Sequence, residues 1–94
     1  REHLLKRAIA RVNGDYDFVI FDCPPSLGFI TTNALVASSK VFVPVQTEYL
    51  ALRSLESLME KIESVMEELN PDLTIGGLIA TRYDGRKGRF FWTR

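Results

Sequence analysis

Residues 18–25 read Phe18-Val19-Ile20-Phe21-Asp22-Cys23-Pro24-Pro25. Four consecutive apolar residues, all aromatic or β-branched, predict a strand over 18–22 buried on both faces, as in a parallel sheet. The two prolines close it, because neither has an N–H to give to a ladder. Asp22 is thereby set at the strand's carboxyl end. Upstream, Leu4, Leu5, Ala8, Ile9 and Val12 form one apolar stripe, which predicts a helix over 2–12. Asn13-Gly14 supplies its stop, since glycine tolerates the left-handed cap conformation. Downstream, a weaker helix is expected over 28–38, capped by Ser26, with Phe29, Ile30, Asn33, Ala34 and Ala37 on one face. Val41-Phe42-Val43-Pro44-Val45 predicts a second buried strand, with Pro44 at its end or at an unpaired position. Leu52, Leu55, Met59, Ile62, Met66 and Leu69 recur every three or four residues, so 49–69 is the best helix. Asn70-Pro71 stops it. Residues 74–81 predict a third strand, whose paired glycines, Gly76-Gly77, suit close packing of a helix on the sheet.

The order α-β-α-β-α-β gives the fold class: α/β, a parallel sheet with flanking helices joined by right-handed crossovers. The loops 23–27, 46–48 and 82–86 then gather at the carboxyl edge of the strands, where open α/β sheets bind ligands.

Ninety-four residues make one domain at most. Hydrophobic residues are 46% and charged residues 26%, a globular balance that argues against a disordered tail. Twelve Lys and Arg balance twelve Asp and Glu. That neutrality hides a distribution. Residues 48–72 hold seven acids and two bases, whereas 82–94 hold five bases and one acid. The acidic stretch reads as a solvated helix face; the basic end is a weak candidate for touching phosphate. A single cysteine excludes an internal disulfide framework and a Cys-rich zinc site. No apolar run approaches the roughly 18 residues a membrane span requires, and no signal peptide is visible, so a soluble cytoplasmic protein is expected. The chain opens without Met, which suggests a piece of a longer protein.

Three chemistries compete for Asp22. At the end of a buried strand in a P-loop fold, this carboxylate holds Mg2+ directly or through water. It could instead cap the 23–28 turn. Or it could accept a phosphoryl group, as in a response-regulator receiver. That last reading wants Ser or Thr and then Lys after the next two strands, and finds Gln46-Thr47 and Thr81-Arg82-Tyr83 without a lysine. A phosphate-binding cysteine loop around Cys23 would need Arg at position 29, which is Phe29. His3, the single histidine, lies in the first helix as a surface residue.

Five blocks carry a family likeness: Tyr16-Asp17-Phe18-Val19-Ile20-Phe21-Asp22-Cys23-Pro24-Pro25-Ser26-Leu27-Gly28, Thr32-Asn33-Ala34-Leu35, Val43-Pro44-Val45-Gln46-Thr47-Glu48-Tyr49-Leu50-Ala51-Leu52, Asn70-Pro71-Asp72-Leu73 and Tyr83-Asp84-Gly85-Arg86. In this order they closely resemble the ParA/Soj partitioning ATPases of chromosomes and plasmids, relatives of MinD. The likeness covers residues 1–87 of a single partial domain; 88–94 diverge, as after an internal deletion or a frameshift. The resemblance implies a three-layer P-loop NTPase fold and a Mg-ATP-dependent switch. In that switch ATP drives a homodimer that binds DNA non-specifically and is nucleoid-associated, and a ParB-type partner stimulates hydrolysis. By the same resemblance Asp22 is the Mg2+-side aspartate, and Pro24, Pro25 and Ser26 belong to the γ-phosphate-sensing switch. Glu48 lies near the dimer interface, and Thr81, Arg82 and Tyr83 lie beside the adenine base. No membrane contact is implied.

The family's Gly-rich phosphate loop with its lysine is absent from these 94 residues. A phosphate cradle is built from such a loop, so the chain alone is expected to be inactive and not to bind ATP. The alternative is an α/β interaction module without nucleotide chemistry. In the family's sheet, the strand leading into that loop lies between the strands matching 18–22 and 41–45. Without it, those two strands either leave a gap or close up and pair, and the edge Val41-Phe42-Val43 would invite pairing between chains.

Overall fold

The computed structural model describes residues 1–24, 27–46 and 52–81. Among these residues five elements follow one another: α1 (Leu4–Ala10), α2 (Phe29–Ala37), β1 (Lys40–Gln46), α3 (Leu52–Glu68) and β2 (Thr74–Thr81). β1 and β2 pair in parallel, and α3 is the crossover between them. The expected parallel sheet with flanking helices is present.

One core holds the fold together. Leu35 and Val36 of α2, Val43 and Val45 of β1, Ile62 and Val65 of α3, and Leu73 and Ile75 at the start of β2 form a single buried cluster. The glutamates of α3 that separate its apolar residues are exposed, as a period of 3.6 requires. In α2 the buried positions are Thr31, Asn33, Ala34, Leu35 and Val36. Phe29 and Ile30, expected on the packed face, are exposed. Asn33 and Ala34 of the expected face are buried, and Leu35 and Val36 in the helix's C-terminal half join the core cluster. Its N-cap is Gly28, with no side-chain hydrogen bond. The expected cap, Ser26, lies outside the described residues.

Two asparagines fasten the helices. The Asn33 amide donates to the Phe29 carbonyl at 3.2 Å, while its Oδ1 accepts from the Leu5 N–H at 3.2 Å, tying α1 to α2. Asn70, 7% exposed, directs its Nδ2 at the carbonyls of Leu35 (3.0 Å), Val36 (3.1 Å) and Ser38 (2.8 Å). These are carbonyls at the end of α2, where a helix leaves acceptors without intrahelical donors. Its Oδ1 accepts from the Asp72 N–H at 3.2 Å, which shapes the turn from α3 into β2.

The pair of strands contains a bulge. Val41 lies opposite Ile75, but Phe42 lies opposite Gly77, so Gly76 is extra. Gly77 has φ 148°, a conformation open to glycine and resisted by residues with a Cβ. Beyond the bulge the facing of β2 is reset: Leu78 packs on the core and Ile79 turns outward. A Cβ on Gly76 would collide with the Phe42 ring, 2.6 Å from Cζ and 2.9 Å from Cδ1. The paired glycines therefore serve a bulge and a ring from the neighbouring strand, where a packed helix was expected.

The Thr74 N–H donates to the Ser39 carbonyl at 3.1 Å, which starts the ladder. Backbone groups alternate sides along a strand, so those of Val41, Val43 and Val45 face β2 and those of Phe42, Pro44 and Gln46 face the outer edge. Pro44 thus removes no bond from the ladder, in keeping with its expected unpaired position.

The principal departure from the sequence reading is Phe18–Asp22, which is not a strand. Phe18 is 86% and Ile20 89% exposed, and no backbone hydrogen bond joins 16–22 to other described residues. Composition makes a segment suitable for a ladder, but a ladder also needs a neighbour. The sheet of described residues ends at β1, and no strand borders its outer edge. Of the two outcomes foreseen for 18–22 and 41–45, direct pairing does not occur.

Candidate functional site

The carboxyl edge of the sheet is formed by Val45-Gln46 and Ala80-Thr81, which end side by side because the strands are parallel. The Thr81 hydroxyl donates to the Val45 carbonyl at 3.1 Å. That bond pins the two strand ends together and occupies the hydroxyl's proton. Glu48, Arg82 and Tyr83, expected on the loops leaving this edge, lie outside the described residues.

Asp22 and Pro24 are exposed, in the segment that has no ladder. Among the described residues, no hydrogen bond or ion pair engages the Asp22 carboxylate. Pro25 and Ser26 lie outside the described residues. The sequence reading put Asp22 at the end of a strand beside the other site residues. The described structure brings only Thr81 to the sheet edge and leaves Asp22 on the unpaired segment.

The Cys23 sulfur is within 3.8 Å of the Phe21 carbonyl. Solvent reaches it, yet partial burial, and after it the neighbouring Asp22 carboxylate, pushes its thiol above the ordinary cysteine value. A nucleophilic cysteine requires the opposite shift, which agrees with reading Cys23 as a small residue in a tight turn. Among the described residues, no group of three or more His, Cys, Asp or Glu could hold a metal ion. A lone, open carboxylate is what remains. It suits a site in which Mg2+ takes one protein carboxylate, waters and the substrate's own phosphate oxygens. The Gly-rich loop that would hold those phosphates is not among the 94 residues. The residues present therefore fit the metal side of a nucleotide site and not its phosphate side. No described helix is long and apolar enough to cross a membrane.

Thr32-Asn33-Ala34-Leu35 and Asn70-Pro71-Asp72-Leu73 carry no evident task in the sequence. The structure gives both asparagines one: they satisfy backbone groups at the ends of helices. The available signal was an amide side chain on the apolar side of one helix and another at the end of an apolar stripe, since a buried amide must be hydrogen-bonded.

A family described as an AAA domain matches residues 1–75. The chromosome-partitioning ATPase Soj of Treponema pallidum (strain Nichols) is 48% identical over 86 residues. The sporulation initiation inhibitor protein Soj of Bacillus subtilis (strain 168) is 50% identical over 86 residues. The chromosome partitioning protein ParA of Myxococcus xanthus (strain DK1622) is 45% identical over the same length. Each alignment takes 92% of this chain but 34%, 34% and 30% of those relatives. The chain thus spans about a third of the length of the relatives it matches. Among solved structures, a cobyrinic acid a,c-diamide synthase from Mycobacterium smegmatis superposes with a TM-score of 0.86 at 48% identity, covering 90% of this chain and 34% of that one. That protein was crystallised with an ATP analogue and magnesium, and also with ADP and magnesium.

Proposed function

Because this chain belongs to the ParA/Soj family of chromosome-partitioning ATPases, we propose that it forms the metal-side portion of a Mg-ATP site in a partitioning switch. Asp22 is the residue that holds Mg2+, directly or through water. The observation that supports this is its open carboxylate, close in sequence to exposed Pro24 and unengaged by other described residues. The bound metal would spread the negative charge of the phosphates. The chain's own part is to offer one carboxylate on that side and, in Pro24, Pro25 and Ser26, a segment that responds to the γ-phosphate. Glu48 reaches toward nucleotide across a dimer interface, and Thr81, Arg82 and Tyr83 flank the base. The Thr81 hydroxyl proton is committed to Val45, which leaves that oxygen an acceptor only. ATP-dependent homodimerisation, non-specific DNA binding, release by a ParB-type partner and association with the nucleoid belong to the same proposal.

The coding sequence ahead of Arg1 supplies the test. The proposal expects an in-frame Gly-rich loop with lysine there. In that longer protein, Asp22→Asn should lower Mg2+-dependent ATP turnover about 10–100-fold, the range for residues that orient a metal through water. Unchanged turnover would remove Asp22 from the site. An unpaired Asp22 segment with no phosphate loop upstream would favour the second reading, an α/β interaction module.

A further inference from the structure

We propose that Asn13 is a self-modifying site: its side-chain amide is lost to attack by the Gly14 backbone nitrogen, which leaves aspartate or isoaspartate at position 13. The proposal does not rest on the nucleotide reading. Residues 11–15 form a turn after α1. It is closed by the Arg11 N–H to the Ala8 carbonyl at 3.4 Å, the Val12 N–H to the Ile9 carbonyl at 3.0 Å and the Asp15 N–H to the Val12 carbonyl at 3.0 Å. These bonds join residues 8–15 alone, so the turn is set by local sequence. They involve neither reacting group. Among the described residues, the Gly14 N–H and the Asn13 side chain have no hydrogen-bond partner, and both residues are exposed. An asparagine amide bonded elsewhere is kept from its neighbour's nitrogen; this one is free to swing onto it.

Gly14 is small where the fold does not require it. A Cβ there would meet nothing within 4 Å. Its φ is not positive; among the described glycines that conformation belongs to Gly77. The left-handed cap expected of Gly14 is thus not used. What the missing Cβ provides is an unshielded backbone nitrogen beside the Asn13 side chain. The other asparagines lack this arrangement. Asn33 lies inside α2, its amide bonded to the Phe29 carbonyl and the Leu5 N–H. Asn70 has its Nδ2 bonded to three carbonyls and is followed by Pro71, which has no N–H to give up.

The reaction consumes only water. The Gly14 nitrogen gives its proton to solvent base and bonds to Asn13 Cγ. The Cγ–Nδ2 bond breaks, and Nδ2 takes a proton from water and leaves as ammonia. Water then opens the resulting cyclic imide at either carbonyl. Opening at Cγ gives aspartate; opening at the main-chain carbonyl gives isoaspartate, whose chain runs on through the side chain. Nothing is oxidised or reduced. Either product adds a carboxylate close in sequence to Asp15 and Asp17. Isoaspartate also lengthens by one methylene the main chain that leads to Asp22.

The test incubates the 94-residue chain and reads residue 13 by peptide mass mapping and by methyl-esterification with an isoaspartyl methyltransferase. Conversion should be confined to Asn13, with isoaspartate among the products. It should run at least about tenfold faster near pH 8 than near pH 6, because the attacking nitrogen must lose its proton. Gly14→Ala, whose Cβ has room, should keep the circular dichroism of the native chain. It should slow conversion at least about tenfold, a barrier raised by about 1.4 kcal/mol. A short peptide spanning residues 11–17 gives the unprotected rate, and the folded chain should stay within about fivefold of it, as an unshielded turn does. A folded chain slower than that limit overturns the proposal, since the turn then shields the pair. So does a Gly14→Ala chain that converts as fast as the native one, or conversion at Asn33 or Asn70 at the rate of Asn13.

Discussion

Replacing Asn70 by alanine removes the hub that joins the end of α2 to the start of β2. Four backbone groups lose a partner: the carbonyls of Leu35, Val36 and Ser38, and the Asp72 N–H. They do not lose equally. The Leu35 carbonyl keeps the Ser38 N–H at 3.3 Å. Ser38 is half-buried and Asp72 exposed, so water can replace much of what they lose. Val36 is buried at 1% exposure, and its carbonyl has no such recourse. Stripping a buried acceptor costs about 1–3 kcal/mol, and the wetter groups add about 0.5–1 kcal/mol. The expected loss is about 2–4 kcal/mol, from a total of roughly 5–14 kcal/mol for a chain of this length. Asn70→Asp should be worse than alanine at neutral pH, because it turns carboxylate oxygens toward carbonyl oxygens. Its folded-state carboxyl is therefore raised above its unfolded value. The loss should be greatest above that folded pKa and shrink as pH falls through it, because a protonated carboxyl can again donate. Urea unfolding followed by circular dichroism, at neutral and acid pH, reads both effects. A loss below about 1 kcal/mol for alanine, or an aspartate no worse than alanine at pH 7, would refute the assignment of Asn70 as a capping hub.

Gly76→Ala should destabilise by about 1–3 kcal/mol, because its Cβ meets the Phe42 ring; Phe42→Leu in the same chain should recover part of that loss in the same unfolding assay. Ile62→Ala, at a fully buried position, should cost about 2–5 kcal/mol, whereas Ile20→Ala should stay within about 0.5 kcal/mol. Equal effects from the two isoleucines would contradict the unpaired state of 18–22. Alkylation of Cys23 by iodoacetamide should lag behind that of a free cysteine at pH 7–8, because a raised thiol leaves less thiolate; Asp22→Asn, by removing the neighbouring negative charge, should speed it.

The helices and paired strands were legible because their signals are local. The stripe from Leu55 to Leu69 specifies α3 and its buried face, and the apolar residues around Pro44 specify β1. Pro44 signalled the strand's end or an unpaired position, and it is the unpaired position that the ladder shows. Phe18–Asp22 misled for a physical reason. Hydrophobic composition reports fitness for a sheet, whereas the sheet itself depends on a neighbour distant in sequence. Gly76-Gly77 misled similarly: a glycine pair signals a close approach without naming what approaches, here the Phe42 ring. For the site, the residue types were readable and their juxtaposition was not. Asp22 depends on 18–22 being ordered by a ladder, so its position on the edge goes with that ladder. The task of Asn70 was hidden because its acceptors lie more than thirty residues away.

The central claim is that these 94 residues carry the metal side of a nucleotide site and not the phosphate cradle. Equilibrium dialysis of the purified chain against Mg-ATP tests it most directly. The account predicts no measurable binding at micromolar nucleotide. A micromolar dissociation constant would contradict it, because the phosphates would then be held by residues other than a Gly-rich loop.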